Sequence, residues 1–552
     1  MHRHGATHFD ERPAAVELTK GRRRAVLAVV CLALALVMGM AVSLSVALPD
    51  LARDVGATQA QLQWIVNAYA VVLAGLLLPA GALGDRHGRK EVLLVGLVVF
   101  GIASAAAVFA DSPGALIALR TVSGVGAAMI MPMTLSIVTS VFPPEERGGA
   151  VGVWAGVAGA GTFVSLLVSG ALLEFFSWPS IFALSVVLAT LALIGTAAVV
   201  PTSRDPEHAS LDPAGAVLSV AGISGVVFAI IEGPALGWTG WWVVAGFVVG
   251  VAALVAFVLW ELRSKRPMLD PRLFLVRPFS AGTLSITISH VAIFGLFFVA
   301  LQYMQQILGY SPLVSGLAVL PMVAAFALSP AAAHLSERVG PAPVIAGGLA
   351  LGAAGLGVLA TLGTDSSYWH VLAGFVLAGA GMALSAAPAT NAIVASLPRG
   401  KQGVASAVND LSRELGGVLG IAVLGSVLNA GYRSGLADAA RGVPGEALAR
   451  AQESLASALG VAGQLGGEEG ERLADAAREA FVGGLSASLL AGAIVLVISA
   501  VSVLLLVVPV RDRRALLERH DPQRLLKAGA LRAKAQRQRL TRTILENEVN
   551  SK

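Results

Sequence analysis

Gly81-Ala82-Leu83-Gly84-Asp85-Arg86-His87-Gly88-Arg89-Lys90 is a short, strongly charged connection between two long apolar runs. A connection this tight and basic is expected on the cytoplasmic side of a membrane, where Lys and Arg near helix ends are retained. Gly81, Gly84 and Gly88 would let two helices approach closely and turn sharply. That turn leaves Asp85 beside the start of the following helix and frees Arg86 and Arg89 for neighbouring carboxylates. Such a device is a conformational latch rather than a catalytic loop.

A weaker copy follows at Ala333-His334-Leu335-Ser336-Glu337-Arg338-Val339-Gly340. Aligning Gly88 with Gly340 sets Arg86 on Arg338 and Asp85 on Glu337. One charged turn at matching places in two half-length units is the mark of a duplicated transporter.

Of the 552 residues, 56% are hydrophobic and 13% charged, with a mean hydropathy of +0.77. Soluble globular chains carry about 25% charged residues, so the composition is that of a polytopic membrane protein. The net charge of +5 does not point to nucleic acid. Its Lys and Arg residues concentrate in short connections and in the C-terminal tail, which suits topology and lipid headgroups. Cys31 is the single cysteine, so no disulfide within the chain can form. His2, His4 and His8 lie in a polar N-terminus that offers nothing to order a metal, and no metal or cofactor is expected.

Apolar runs near 24–48, 60–83, 91–110, 113–141, 147–173 and 178–200 are expected to form six spans. Two more near 213–233 and 241–261 leave and return on one side, so they can be inserted without inverting the second half. Six further runs lie near 279–305, 312–333, 342–362, 368–396, 402–429 and 481–509, giving about fourteen and placing both termini in the cytoplasm. The expected organisation is a disordered tail to residue 20 and a six-helix half over 21–200. A linker with two inserted helices over 201–277, a second half over 278–510 and a basic tail over 511–552 complete it. Within the second half, 430–480 should be extracytoplasmic, with helical stretches at Glu446–Leu459 and Glu468–Glu479 that either cap the outer mouth or form a solvated excursion. The tail, with leucines between its Arg and Lys residues, suits a basic amphipathic helix on the inner leaflet.

The Gly81–Lys90 turn closely resembles the loop between helices 2 and 3 of the major facilitator superfamily. Gln63-Trp64-Ile65-Val66-Asn67-Ala68-Tyr69 before it resembles the fourteen-helix drug/proton antiporter branch, and the likeness covers roughly residues 24 to 510. The resemblance implies an all-α major facilitator fold, with two six-helix halves plus two extra helices. It also implies that Leu119-Arg120-Thr121-Val122-Ser123-Gly124-Val125-Gly126 carries a proton-coupling arginine, although a glutamine commonly stands where Ser123 does. Two departures stand out. The span 1 aspartate that usually precedes Ala-Leu-Pro is missing before Ala47-Leu48-Pro49, where Val37-Met38-Gly39-Met40 is apolar. The span 5 Gly-Pro pair is missing too; Gly156, Gly159 and Gly161 are followed by Ser165 to Gly170.

Polar groups inside spans are costly unless paired or hydrated, so they are the informative ones. Arg120 is the clearest, and without a span 1 carboxylate its expected partner is Asp410 or Glu414. Asn409-Asp410-Leu411-Ser412-Arg413-Glu414 lies well inside an apolar run, with Asp410 about 13 Å from the start of the span. Asp410 and Arg413 share a helix face and Glu414, four from Asp410, is near it too, so two acids with one base leave one carboxylate uncompensated. That is how a membrane carboxylate becomes a reversible proton carrier. A cytoplasmic helix end reached by water is the plain alternative. His290 is expected to be a packing residue rather than a relay, and Glu232 an interface residue.

Trp64, Asn67 and Tyr69 on span 2, with Gln302 and Gln306 on span 9, are candidates to line a cavity for amphipathic molecules. Interface anchoring competes for the aromatic ones. Gly124, Gly126, Gly156 and Gly161 are candidate helix-packing positions. The reading that unites these features is a proton-coupled secondary transporter of the cell membrane, active as a monomer, exporting hydrophobic or amphipathic compounds by alternating access. The near rival is an exporter of an endogenous lipid, siderophore or metabolite. A membrane-embedded enzyme is remote, because only His290, His334 and His370 accompany the apolar stretches of the second half.

Overall fold

The computed structural model describes residues 19–203, 212–264, 267–397, 402–439 and 445–506. His2, His4, His8, most of the 201–213 break and the basic tail lie outside the described residues. The described residues are helical without a strand, and 14 helical stretches, the tenth of them interrupted, are long and apolar enough to cross a membrane, as the hydropathy predicts. The chain up to Val503 is one compact unit; beyond it only the last residues of the final helix, Leu504–Leu506, are described.

The first six helices are α1 (Lys20–Asp54), α2 (Gln59–His87), α3 (Arg89–Ala107), α4 (Pro113–Val141), α5 (Pro144–Phe175) and α6 (Pro179–Val199). Their ends follow local chemistry. Thr58 and Gln61 form a capping box on α2, Ser112 caps α4, and prolines open α4, α5 and α6, where a missing N–H costs nothing. Gly88 takes φ +118° between α2 and α3, and Gly340 takes φ +90° at the matching break of the second half. Both conformations are open to glycine at little cost, which is why the repeat keeps a glycine there.

Two inserted helices, α7 (Pro213–Leu236) and α8 (Trp241–Arg263), cross at Gly225 and Gly250. The second half begins with α9 (Arg277–Gln306). The next span, expected as one helix, is broken into α10 (Pro312–Ala318), α11 (Leu320–Ala324), a 3-10 turn (Ala325–Leu328) and α12 (Ser329–Val339). Pro321 and Pro330 supply no N–H to the ladder, which is the reason for the break. Then come α13 (Pro341–Leu359), α14 (Tyr368–Ala395) and α15 (Gln402–Ala439).

Helix fills most of the described part of the 430–480 segment. α15 runs on to Ala439 and α18 (Gly467–Leu506) starts well before residue 481, so both helices are longer than the apolar runs at their centres. Between them lie α16 (Gly445–Ala451) and α17 (Leu455–Leu465). These short helices are anchored. The Tyr432 hydroxyl donates to the carbonyls of Ala451 and Ser454, and the Gln59 N–H of α2 donates to the Glu453 carbonyl at 2.9 Å.

In each half, two helices cross where backbones touch. A Cβ on Gly96 of α3 would lie 2.9 Å from the Gly126 carbonyl of α4, and one on Gly348 of α13 would lie 2.7 Å from the Gly381 carbonyl of α14. Small residues matter in membrane bundles for this reason, because lipid supplies no hydrophobic force between helices. Outward faces of α3, α6, α8 and α18 expose Ile102, Leu191, Trp242 and Ile498, the apolar belt that lipid covers.

Candidate functional site

At the end of the bundle opposite the charged turns the two halves are closed on each other. A Cβ on Gly170 of α5 would lie 2.9 Å from the Pro312 carbonyl of α10. Gln305 of α9 donates to the Val46 carbonyl of α1 at 2.9 Å, and Gln63 of α2 abuts Gly425 of α15. At the charged-turn end the halves stand apart around a cavity of about 280 Å³. Leu77, Gly81, Met131, Leu135 and Trp154 line it from the first half, and Ser406, Ala407 and Asp410 from the second.

Asp410, Arg413 and Glu414 lie together along α15 and are half-buried, and of the three Asp410 lines the cavity. Among the described residues Arg413 forms no ion pair, and its Nε has no hydrogen-bond partner. Glu414 lies within electrostatic reach of Tyr69 on α2, across the seam. Asn409 is held from α14, its Oδ1 accepting from the Thr390 hydroxyl at 3.1 Å.

Arg120 is wholly buried, yet it does not take the partner expected of it. Neither Asp410 nor Glu414 pairs with it. Its Nε donates to the Ile65 carbonyl at 2.9 Å, its Nη2 to the Met40 carbonyl at 3.4 Å, and its guanidinium lies 4.3 Å from the centre of the Tyr69 ring. The Tyr69 hydroxyl in turn donates to the Val37 carbonyl at 2.9 Å. Val37 to Met40, the stretch without an aspartate, therefore serves through its backbone oxygens. Gly39 faces α5, where a Cβ would meet the Ser165 hydroxyl, so the two departures from the family pattern touch each other. Backbone carbonyls carry no side-chain signature, and sequence reasoning had no way to find them.

Residues 30–260 and 282–439 match the family model described as Major Facilitator Superfamily. The chain belongs to the Major Facilitator Superfamily. It is 36% identical to the multidrug efflux pump LfrA of Mycolicibacterium smegmatis over 83% of this chain and 91% of that protein. Identity is 34% to the methyl viologen resistance protein SmvA of Salmonella typhimurium, covering 83% and 93%. It is 32% to the tetracenomycin C resistance and export protein of Streptomyces glaucescens, covering 83% and 87%. Among solved structures, a bacterial homologue of the human lysosomal transporter Spinster, inward-facing and unoccupied, matches at a TM-score of 0.61. That match has 19% identity over 89% of this chain and 98% of the other, a likeness of fold.

Within this superfamily fold the Gly81–Lys90 turn clasps its own half. Arg89 of α3 binds Asp85 of α2 at 2.8 Å, the Arg89 N–H donates to the Ser203 carbonyl, and Lys90 donates to the Ala197 carbonyl. Arg86 is exposed and in no ion pair among the described residues. Among the described residues no latch joins the halves here, because this is the end at which they are apart.

None of Trp64, Asn67, Tyr69, Gln302 and Gln306 lines the open cavity. Asn67 and Tyr69 are buried at the closed side, and Gln302 donates its amide N–H to the Phe298 carbonyl of its own helix. Trp64 turns to α7, donating its indole N–H to Glu232 at 2.9 Å with Phe228 alongside. Neither partner could be anticipated, since α7 wedges into the seam between α2 and α15, packing Val227 and Ile231 on Val71, Val418 and Ala422. Of the packing glycines, Gly124 meets the Tyr69 carbonyl and Gly126 that of Gly96, while Gly161 makes only ordinary contact with Ala35. Gly156 is exposed and a Cβ there would meet nothing within 4 Å, so it is not a packing position in this state. His290 is buried, hydrogen-bonded to the Ile286 carbonyl and stacked on Phe294.

Proposed function

We propose that this protein exports hydrophobic and amphipathic compounds across the cell membrane by alternating access, driven by protons. The observation that carries the reading is the open cavity of about 280 Å³ between the halves, apolar but for a few hydroxyls and the Asp410 carboxylate, with the opposite end sealed. An apolar wall with one acidic group accepts amphipathic cations without demanding one shape. The charged turns would face the cytoplasm with both termini, so the open state would receive its cargo from inside.

Asp410 and Glu414 would carry the coupled proton, with Arg413 as the cation that tips the balance between them. Uphill export requires that proton and cargo prefer different states or compete for one. A carboxylate on the cargo cavity meets the second condition, since a proton there removes the charge that a cation seeks. Arg120 would link proton occupancy to the α1/α2/α4 packing through Tyr69, the residue that both it and Glu414 reach. Asp85, Arg86 and Arg89 would join the halves once the cavity closes. The relatives named for multidrug efflux and antibiotic resistance support the cargo class.

Uptake into inverted vesicles under an imposed pH gradient, with cationic dyes and native membrane lipids offered in parallel, tests this. Gradient-dependent dye accumulation is expected. Transport of lipid alone would replace the reading with lipid export, and ion current without countertransport would replace it with a channel.

A further inference from the structure

The closed side holds a row of amides with nothing to bond. Gln59, Gln63 and Asn67 succeed one another at one-turn spacing on α2, and their side chains are 5%, 0% and 0% exposed. Both amide atoms of Gln63, both of Asn67 and Nε2 of Gln59 lack any hydrogen-bond partner. Opposite, on α15, Asn429 is 3% exposed and its Oδ1 is also unpartnered. α2 and α15 run in opposite senses across the seam. Gln63 meets Gly425, where a Cβ would come 2.7 Å from the amide carbon, so Asn429, one turn further, comes level with Gln59. The Gln63 amide and the Phe298 ring both crowd Gly425, and neither the glycine nor the ring offers a side-chain donor or acceptor.

Buried polar side chains in folded proteins are overwhelmingly partnered, so two wholly unpartnered amides and two with one buried atom unpartnered on one seam require an explanation. Leucine would close the same seam without desolvating anything. The helices that meet here belong to opposite halves, and rocking of the halves parts them. We infer that Gln63 and Asn67, with Gln59 beside them and Asn429 facing them, form the polar wall of a release-side subsite. It takes the hydrogen-bonding groups of the transported molecule, its amines, carbonyls or hydroxyls, once the bundle has tipped. This rests on the exporter reading. Neutral amides suit the release step because they orient cargo without an ion pair to hold it.

The experiment uses full-length protein in vesicles with two probes, rhodamine 123, which bears amines and an ester, and tetraphenylphosphonium, which has no hydrogen-bonding group. Gln63→Leu and Asn67→Leu should each slow rhodamine export at least fivefold and tetraphenylphosphonium export less than twofold, with melting temperature unchanged or raised. Asn67→Gln should recover most of the rhodamine rate. Equal losses on both probes, or none, overturn the subsite. In parallel, Asn67→Cys on a Cys31→Ser background should be labelled by a membrane-impermeant maleimide from the face opposite the charged turns. Wild-type protein that moves neither probe defeats the exporter reading, and the subsite is then decided by labelling alone. Asn67→Cys that is never labelled overturns it.

Discussion

The Arg120 guanidinium lies over the Tyr69 ring at 4.3 Å, and the two residues between them use the carbonyls of Val37, Met40 and Ile65. A cation with no carboxylate beside it is thus held by a ring face and by helix backbone from α1 and α2. Tyr69→Leu removes the ring and should destabilise the bundle by about 2 kcal/mol, the worth of a desolvated cation–π contact. Tyr69→Phe keeps the ring and should lose about 1 kcal/mol for the hydroxyl bond. Melting curves in detergent measure both, and a Leu variant as stable as the Phe variant would refute the role of the ring.

Arg120→Lys preserves charge but not the planar fork that reaches two carbonyls while stacking. Export should fall at least tenfold with the folded fraction unchanged. Gradient-driven dye uptake beside circular dichroism separates loss of function from loss of fold.

Asp410→Asn and Glu414→Gln remove the acidic groups of α15 while keeping side-chain size. Each should reduce pH-gradient-driven export at least tenfold, and the pair together should abolish it. Dye binding measured without a gradient should weaken for Asp410→Asn, which lines the cavity, and hold for Glu414→Gln. Wild-type rates in both variants rule out proton coupling here.

A Cβ on Gly170 would lie 2.9 to 3.2 Å from the backbone of Pro312 and Leu313, with no flexible side chain to yield. Gly170→Leu should therefore wedge α5 from α10 and favour the state closed at the charged-turn end. Spin labels on the Phe175 and Ser311 ends of these helices should read a longer distance than in the parent protein. An unchanged distance with normal folding counts against the closed seam.

Trp64→Phe deletes the indole bond to Glu232. Leaving the half-buried Glu232 oxygen without its donor should cost about 1 to 3 kcal/mol, so the melting temperature should drop. KM for exported dyes should not change, because Trp64 faces α7 rather than the cavity. A raised KM with unaltered stability would restore it to the cargo site.

Sequence alone determined the membrane class, the fourteen spans and the paired breaks at Gly88 and Gly340. Each is a local property: an apolar run must satisfy its own backbone in lipid, and a positive φ needs glycine wherever it occurs. It also singled out Arg120, Asp410 and Glu414, since charge in an apolar run is visible without neighbours. Only the tertiary structure decided what those charges face, because the carbonyls of Val37, Met40 and Ile65 have no side-chain code. Nor does spacing along one helix tell which end of a two-half seam is closed. Trp64 turned to α7, Gly156 was left exposed and the Gln63 amide was sealed against Gly425 by the same cause. Helices far apart in sequence meet through shape and small residues, and those contacts exist only once the bundle has assembled.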